Sequence, residues 1–346
     1  MLKGMGDFFA LDIGTNAIRV VQLHKAASGW SLAHYGYAPI DSKLTGSDSE
    51  EARRKVAEVI MTAVGQSGIR TKNVVIGLPS SKTFTTVIDV PNTNEAELKA
   101  TMKYQIDQYI PMSIDEAKVD RALLGPSLRA QNQLEVLLSS VARDYSEARL
   151  ELVESLGLNV IAAEPDPIAM VRALTPAGSS GALVELDMGE QSTDIAIVYG
   201  DTPRLVRTIP TGLATFVKAA VSNLNVQDDQ ARQFILKFGL APDRLEGQVL
   251  RALETTLDNF AAEITKSIKF FETRYPSVAV QGVLLSGFSA AVPQFDNYLA
   301  GKVGKPAQIA NPWQGVSLSD NDQKQLGPVA MEFATVIGLA KRSGAL

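Results

Sequence analysis

The sequence contains no cysteine, and this absence excludes several kinds of site at once. Disulfide scaffolds, thiolate zinc sites and cysteine nucleophiles are all impossible. Histidine is nearly absent too, with only His24 and His34. A serine hydrolase with a nucleophile elbow needs a histidine after its serine in chain order, and both lie far upstream of the one suggestive turn, Gly287 to Ser289. That class of enzyme is therefore excluded.

Clusters of basic residues and long apolar runs are also missing. The formal net charge is -5, without the grouped Lys and Arg that neutralise phosphates, which argues against a general nucleic-acid binder. The longest uncharged stretch, Ser277 to Phe295, is broken by Gly282 and Pro293, whereas a membrane span needs about 20 mainly apolar residues. Residues 1–9 lack the apolar region of a signal peptide. We expect a soluble, cytoplasmic chain without direct membrane insertion.

What is present is enough apolar sequence for roughly two domains. The chain has 346 residues, of which 45% are hydrophobic and 21% charged. The predicted elements of the first stretch are an apolar strand at 8–14 ending in Asp-x-Gly, strands at 17–23 and 30–39, a helix at 49–65 ended by Gly65, and a strand at 73–78. This order is typical of a mixed α/β layer.

A different pattern follows Pro79. Its predicted elements are a strand at 83–90, a helix from Asn94 to Tyr109, strands at 118–124 and 134–142, and a helix at 144–156 closed by Gly157. This block could form a small separate lobe. The first pattern then returns, with strands at 182–189 and 194–199, helices at 227–238 and 248–275, a strand at 280–285 and a helix at 329–341. The recurrence indicates a duplication with two pseudo-equivalent halves.

Each half opens with a buried strand that ends in an Asp-x-Gly turn, at Asp12 to Gly14 and at Asp187 to Gly189. Glycine permits close approach of the backbone, and successive N–H groups in such a turn bind anions. The aspartate can orient a water bound to magnesium, which prefers oxygen ligands and keeps several waters. A single copy would be an ordinary turn, but two copies in equivalent places predict a polyphosphate held from both sides.

Further motifs follow in the second half. Glu263 and Lys266 share one face of a predicted helix and could hydrogen-bond the hydroxyls of a ribose, although a solvated ion pair is the ordinary interpretation of this spacing. A strand runs into Ser286 and Gly287, where a nucleoside could pass close to the backbone. Near the end of the chain, Gly338 and its small neighbours predict close helix packing.

In this order the motifs resemble those of the actin, hexokinase and chaperone ATPase superfamily over nearly the whole chain. They are Asp12-Ile-Gly-Thr, Asp187-Met-Gly with Thr193, Glu263 with Lys266, Ser286-Gly287 and Ala334-Thr-Val-Ile-Gly338. Residues 96–120, which include Tyr104-Gln-Ile-Asp-Gln-Tyr-Ile-Pro111, resemble the SHS2 module of PilM and FtsA. The chain is thus similar to the PilM family of type IV pilus assembly.

The resemblance implies an α/β, actin-like (ribonuclease H-like) fold, duplicated into two domains, with an inserted SHS2-type subdomain. The first half would comprise residues 1–78 and return at 158–177 and 325–346, the inserted lobe 79–157, and the second half 178–324. The implied cofactors are ATP and magnesium, with Asp12 and Asp187 reaching magnesium through water.

The resemblance also implies which residues surround the nucleotide. They are Asp12, Gly14, Thr15, Asn16, Arg19, Asp187, Gly189, Gln191 and Thr193 around the phosphates, Glu263 and Lys266 at the ribose, and Gly287 and Phe288 at the adenosine. Three depart from the usual pattern: Arg19 stands for a phosphate-reaching Lys, Gln191 for a second loop Gly, and Phe288 for the second Gly of the adenosine pair. With no evident general base, we expect slow ATP hydrolysis or none.

The partner implied by the resemblance is the short cytoplasmic N-terminal segment of a PilN-like inner-membrane protein, which would recruit the chain to the inner face of that membrane. The expected docking place is the groove between the lobe and the first half, near Tyr109, Ile110 and Met112. An extended peptide could add main-chain hydrogen bonds there. Other pilus assembly proteins and a homo-oligomer stay open as partners.

Two other functions stay open. FtsA-like cell-division proteins usually finish with an amphipathic membrane helix behind a linker, and the ending Lys341-Arg-Ser-Gly-Ala-Leu346 leaves no room for one. A sugar or carboxylic-acid kinase of the same fold needs an acid or base in its cleft, for which Glu190 beside the second turn is the available residue.

Overall fold

The structure is a computed structural model and describes residues 6–26, 29–47, 49–93, 106–327 and 329–342. The chain divides into two compact units, of which the first contains Met1–Ala169, Arg204–Val206 and Thr335–Leu346 and the second contains Met170–Pro203 and Arg207–Ala334. The predicted separation of a lobe at 79–157 stays a prediction. Across the described ranges, no helix is both long and apolar enough to cross a membrane.

The strands and helices alternate along the chain as a mixed α/β protein requires. In chain order they are β1 (Phe9–Ile13), β2 (Ala17–Ala26), β3 (Gly29–Pro39), α1 (Ser42–Thr45), α2 (Glu50–Ser67), β4 (Asn73–Leu78), β5 (Thr83–Pro91), β6 (Ala117–Pro126), β7 (Gln133–Ala142), α3 (Arg143–Glu154), β8 (Asn159–Pro165), α4 (Asp166–Leu174), β9 (Ala182–Met188), β10 (Thr193–Tyr199), β11 (Thr202–Ile209), α5 (Leu213–Leu224), α6 (Asp228–Phe238), α7 (Gln248–Arg274), β12 (Val280–Gly287), α8 (Phe288–Ala291), α9 (Phe295–Val303), β13 (Ala307–Ile309), β14 (Val316–Ser317), α10 (Asp320–Leu326) and α11 (Ala334–Ala340).

Most predicted elements agree with these bounds to within two residues, although β2 continues to Ala26, three residues past its predicted end. Helix α2 runs through Gly65 and ends before Gly68, which adopts a left-handed φ of 79° that glycine tolerates. The final helix begins with a 3-10 turn at Ala330–Phe333 before its α-helical part. Most of the helix predicted at Asn94 to Tyr109 lies outside the described residues. The elements that were not predicted are strands β8, β11, β13 and β14 and helices α1, α4, α5, α9 and α10.

In the first unit, β3, β2, β1, β4 and β8 lie side by side in that order. Strand β1 is antiparallel to β2 and parallel to β4, and β4 is parallel to β8. The core beside this sheet contains Phe9 and Leu11 of β1 together with Ile60 of α2. The apolar residues that recur every three or four positions along α2 therefore cover one face of the sheet.

The first unit also contains a three-stranded antiparallel sheet in the order β5-β7-β6. One face of this sheet packs Ile88, Val90, Val136 and Leu138 with Tyr109. On the buried side of the sheet, Glu135 forms a fully buried ion pair with Arg204. Because breaking such a pair leaves a buried charge without compensation, it restricts the position of β7.

The second unit contains the sheet β11-β10-β9-β12-β13. Strand β9 is antiparallel to β10 and parallel to β12, and β13 is parallel to β12. Three aromatic rings, Phe216, Phe260 and Phe295, join α5, α7 and α9 by edge-to-face contacts with centroids 5.9 to 6.2 Å apart. This arrangement is the preferred one for aromatic pairs and links the three helices.

Glu185, in the middle of β9, is fully buried. Its carboxyl group accepts a hydrogen bond from Thr175 Oγ1 at 2.6 Å, while Oε2 has no hydrogen-bond partner within the described part of the chain. Burial raises the pKa of Glu185 to about 8, against the opposing effect of the Thr175 hydrogen bond. The folded chain therefore holds this carboxyl group protonated at neutral pH.

The raised pKa predicts that stability falls as pH rises. Between about pH 4.5 and 8 the folded state binds a proton that the unfolded state releases, so ionisation favours unfolding in this window. From pH 5 to 7.5 we expect Glu185 to lower the free energy of unfolding by about 3 kcal/mol. Glu185→Gln should remove this dependence, as urea denaturation at a series of pH values would measure. Equal slopes in both proteins would contradict it.

Gly338 confirms the predicted close packing of the last helix. A Cβ at this position would overlap the carbonyl group of Ala169. Gly65, in contrast, lies inside α2 with open space around it. The two glycines therefore form a matched pair in which only one is required by packing.

We expect Gly338→Ala to destabilise the first unit by about 3 kcal/mol, because the backbone of Ala169 cannot move away without disturbing the core. Gly65→Ala should be neutral or stabilise by up to about 1 kcal/mol through helix propensity. Chemical denaturation of both variants would measure the difference. A cost for Gly338→Ala no larger than that of Gly65→Ala would refute this packing argument.

Candidate functional site

A buried ion pair closes the first Asp-x-Gly turn. Arg19 Nη1 donates to Asp12 Oδ2 at 3.2 Å, and Nη2 donates to Asn16 Oδ1 at 3.1 Å. The guanidinium group lies over the Tyr37 ring, 5.5 Å from its centroid. The Arg19 and Asp12 side chains are only 6% and 9% exposed. Arg19 thus neutralises Asp12 from within the turn, instead of extending outward as a free cation.

The glycine of this turn is required by the same ion pair. A Cβ at Gly14 would lie 2.7 Å from Arg19 Nη1 and 2.9 Å from the Ala17 carbonyl oxygen, to which Gly14 N donates. Thr15 follows as the exposed residue at the tip of the turn. The first turn therefore presents backbone at its tip, with its charged groups packed behind it.

The second turn rests on the N-terminus of α5. Gly189 N donates to the Ser192 carbonyl at 2.8 Å, and the carbonyl oxygens of Gly189 and Glu190 accept from the N–H groups of Leu213 and Ala214. A Cβ at Gly212 would lie 2.5 Å from the Glu190 carbonyl oxygen. Sequence reasoning missed Gly212, although its place directly before an amphipathic helix is a signal that could have identified it.

Glu190 is held by Arg232 of α6. Arg232 Nη1 donates to Glu190 Oε2 at 3.0 Å, and Nη2 donates to Oε1, so the pair is bidentate. The hydrogen bonds to Glu190 raise the pKa of Arg232, with Asp228 and Asp229 acting in the same direction. Both carboxylate oxygens of Glu190 are therefore held in place by one guanidinium group.

The other residues of this turn contribute in different ways. Thr193 is fully buried, and its hydroxyl donates to the Thr211 carbonyl at 2.7 Å, so it organises the turn from behind. Gln191 is exposed at the tip.

The end of β12 meets the second turn through strand register. Ser286 is paired with Asp187 and Gly287 with Met188. A Cβ at Gly287 would lie 2.5 Å from Asp187 Oδ1, and its φ of 62° also favours glycine. Phe288 is only 9% exposed, which leaves little ring surface for stacking on a base.

Glu263 and Lys266 on α7 form the predicted pair, and a second cation joins them. Lys266 Nζ donates to Glu263 Oε1 at 2.6 Å, while Arg207 Nη2 of β11 donates to Oε2 at 2.8 Å. The hydrogen bonds from Lys266 and then Arg207 hold the pKa of Glu263 below its usual value. Sequence reasoning missed Arg207, and no local signal points to it.

A magnesium site formed by protein ligands alone does not fit. Within the ranges that the structure describes, no group of three or more His, Asp or Glu residues could hold a metal ion. The carboxylate of Asp12 is shared with Arg19, whereas Asp187 is half-buried at the end of its strand. A magnesium ion that enters with a polyphosphate needs only a water-mediated contact from such a carboxylate.

The predicted partner residues pack within the first unit. Tyr109 packs against the apolar cluster on the three-stranded sheet β5-β7-β6. Ile110 is 7% exposed, and Met112 is half-buried. Their role in partner binding stays a prediction.

A cavity of about 190 Å³ lies within the first unit. Strands β6 and β7 line one side, through residues such as Val119 and Ser140, and β8 with α4 lines the other, through Ala163 and Ile168. Ser140 Oγ is buried and has no hydrogen-bond partner among the described residues. The cavity walls are therefore mainly apolar, with this buried serine hydroxyl in one of them.

Two strand hairpins, each with an Asp-x-Gly turn, and a strand ending in glycine beside the second turn define an actin-like ATPase fold of mixed α/β type. A sequence model described as "Type IV pilus assembly protein PilM" matches residues 10–344. The chain belongs to this family.

Solved structures agree with this fold. The chain is similar to a PilM-PilN type IV pilus biogenesis complex, with 22% identity and a TM-score of 0.81 over 96% of this chain and 97% of that chain. It is also similar to the ethanolamine utilization protein EutJ from Carboxydothermus hydrogenoformans, with 16% identity and a TM-score of 0.55 over 96% of this chain and 88% of that one.

Proposed function

We propose that the chain is a nucleotide-dependent scaffold of type IV pilus assembly. It binds ATP through residues of its Asp-x-Gly motifs, and it binds an extended cytoplasmic peptide of a PilN-like inner-membrane protein in the cavity of the first unit. Membership of the PilM family and similarity to a PilM-PilN complex support this role. Recruitment to the inner face of the inner membrane would follow from the partner.

The observation that carries the peptide proposal is the cavity beside an edge strand. Strand β6 lies at the edge of its three-stranded sheet and also lines the cavity. Main-chain groups of an edge strand can pair with an added extended segment. A volume of about 190 Å³ is smaller than the roughly 300–1,000 Å³ of small-molecule pockets, but it can receive side chains of a peptide.

A kinase is the less favoured alternative because Glu190, its candidate acid or base, is held by an arginine. Glu190 is bound by both terminal nitrogens of Arg232. An arginine so placed occupies both carboxylate oxygens and restrains their movement toward a substrate. A scaffold that binds nucleotide with slow turnover or none requires no such base.

The nucleotide proposal predicts that ATP with magnesium binds the purified chain and raises its melting temperature by linkage. Asp187→Ala should weaken binding by roughly tenfold or more, because it removes the carboxylate that would contact magnesium through water. Asp201→Ala, an exposed aspartate of the same unit, is the matched control. Calorimetry would measure both affinities.

An absence of magnesium-dependent ATP binding in nucleotide-free protein would refute the proposal. Steady-state turnover on the order of 1 s⁻¹ or faster would instead favour an enzyme.

The peptide proposal predicts that filling the cavity blocks the partner. Ala163 is exposed at the cavity wall, so Ala163→Trp should weaken binding of the PilN-like cytoplasmic peptide by roughly tenfold or more without disturbing the core. Leu123→Trp is the control, because Leu123 lies on β6, is 60% exposed and is not part of the cavity lining. Calorimetry with a synthetic peptide would measure both. Full binding by a folded Ala163→Trp protein would place the partner site elsewhere.

A further inference from the structure

We propose that Arg207 is a positioning residue of the nucleoside site, which orients Glu263 for the ribose hydroxyls and so sets the preference for ribonucleotides over deoxyribonucleotides. This inference rests on the proposed function, since it concerns the same nucleotide. It is carried by three contacts within the second unit and by the chemistry of the carboxylate that they hold.

The first observation is that Arg207 bridges two turns of α7. Its Nη2 donates to Glu263 Oε2 at 2.8 Å and its Nη1 donates to Ser267 Oγ at 3.2 Å. Ser267 Oγ in turn donates to the Glu263 carbonyl at 2.9 Å. The planar fork of arginine thus fixes one face of the Glu263 carboxylate relative to the helix backbone.

The second observation distinguishes Arg207 from Lys266. The Lys266 side chain is 67% exposed, whereas the side chains of Arg207 and Glu263 are 36% and 31% exposed. An exposed pair three residues apart on a helix stabilises only weakly and leaves the lysine mobile. Arg207 is anchored at a second point by Ser267, which is 1% exposed. It is therefore the contact that determines the orientation of Glu263.

The third step concerns what an oriented carboxylate can bind. Each oxygen of an ionised carboxylate has two lone pairs, so Glu263 can accept from a ligand hydroxyl while it accepts from Lys266 and Arg207. Two neighbouring hydroxyls on a ribose match two carboxylate oxygens. The cations also neutralise the carboxylate, which would otherwise repel the phosphates of the same ligand.

Selectivity follows because a polar site built for a hydroxyl discriminates strongly against an analogue that lacks it. The discrimination depends on the carboxylate being held in place, since a mobile carboxylate can turn toward water. Loss of Arg207 should therefore reduce the affinity for ATP more than the affinity for 2′-deoxy-ATP. A merely structural role would reduce both affinities alike.

The test measures dissociation constants for ATP and 2′-deoxy-ATP by calorimetry on the full chain. We expect the unaltered protein to prefer ATP and Arg207→Met to lose roughly tenfold in ATP affinity, with 2′-deoxy-ATP affected by no more than about twofold. Arg207→Lys should keep part of the preference. Lys269→Met, which removes an exposed cation from the same helix, should leave both constants unchanged within about twofold.

A second variant keeps the test decisive if Arg207→Met is unstable. Glu263→Gln should reduce the ratio of the two affinities in the same way, and the double variant should reduce it no further. An equal loss for both nucleotides, or an unchanged ratio, overturns the role of Arg207 while leaving nucleotide binding intact. Failure of the unaltered protein to bind either nucleotide would instead refute the proposed function itself.

Discussion

The parallel register between β9 and β12 is the constraint on which the candidate site of the second unit depends. It places Asp187 beside Ser286 and leaves space at the next position for glycine alone. A slip of one residue would turn the Asp187 side chain to the opposite face of the sheet. The turn motif and the glycine motif lie far apart in the sequence, yet this register makes them a single feature of the surface.

Three acidic residues of the candidate motifs, each within its own unit, share a carboxylate with an arginine. The pairs are Asp12 with Arg19, Glu190 with Arg232, and Glu263 with Arg207. Arginine is always charged, so each pair presents a neutralised carboxylate to a ligand that is itself strongly negative. At Glu263 the hydrogen bonds from Lys266 and Arg207 also hold the pKa below its usual value. The planar fork of each arginine therefore restricts the orientation of its carboxylate.

A different buried pair adds contacts between two strands that line the cavity of the first unit. Glu135 on β7 is fully buried with Arg204, whose other terminal nitrogen reaches the Leu124 carbonyl at 3.5 Å. These contacts connect β7 with β6, the two strands that form one wall of the cavity. A wall held in this way is largely formed before a ligand arrives, which reduces the ordering that binding requires.

Much of this protein follows from local patterns in its sequence. The strands before each Asp-x-Gly turn, the strands of the lobe and the long helix α7 were all predicted, because hydrophobic periodicity and turn residues act within a few positions. Helix ends were less certain, as α2 shows by continuing past Gly65, since a glycine inside a helix costs only about 1 kcal/mol that packing can offset.

The tertiary structure alone decided how the charged groups are paired. Arg207 and Glu263 are 56 residues apart, and Arg232 and Glu190 are 42 apart. Such pairs form when separate elements pack together, and they leave no periodic trace along the chain. The sequence by itself therefore determined the family, the motifs and most elements. Only the folded chain determined which arginine orients each carboxylate, because that depends on distances between elements that no local pattern encodes.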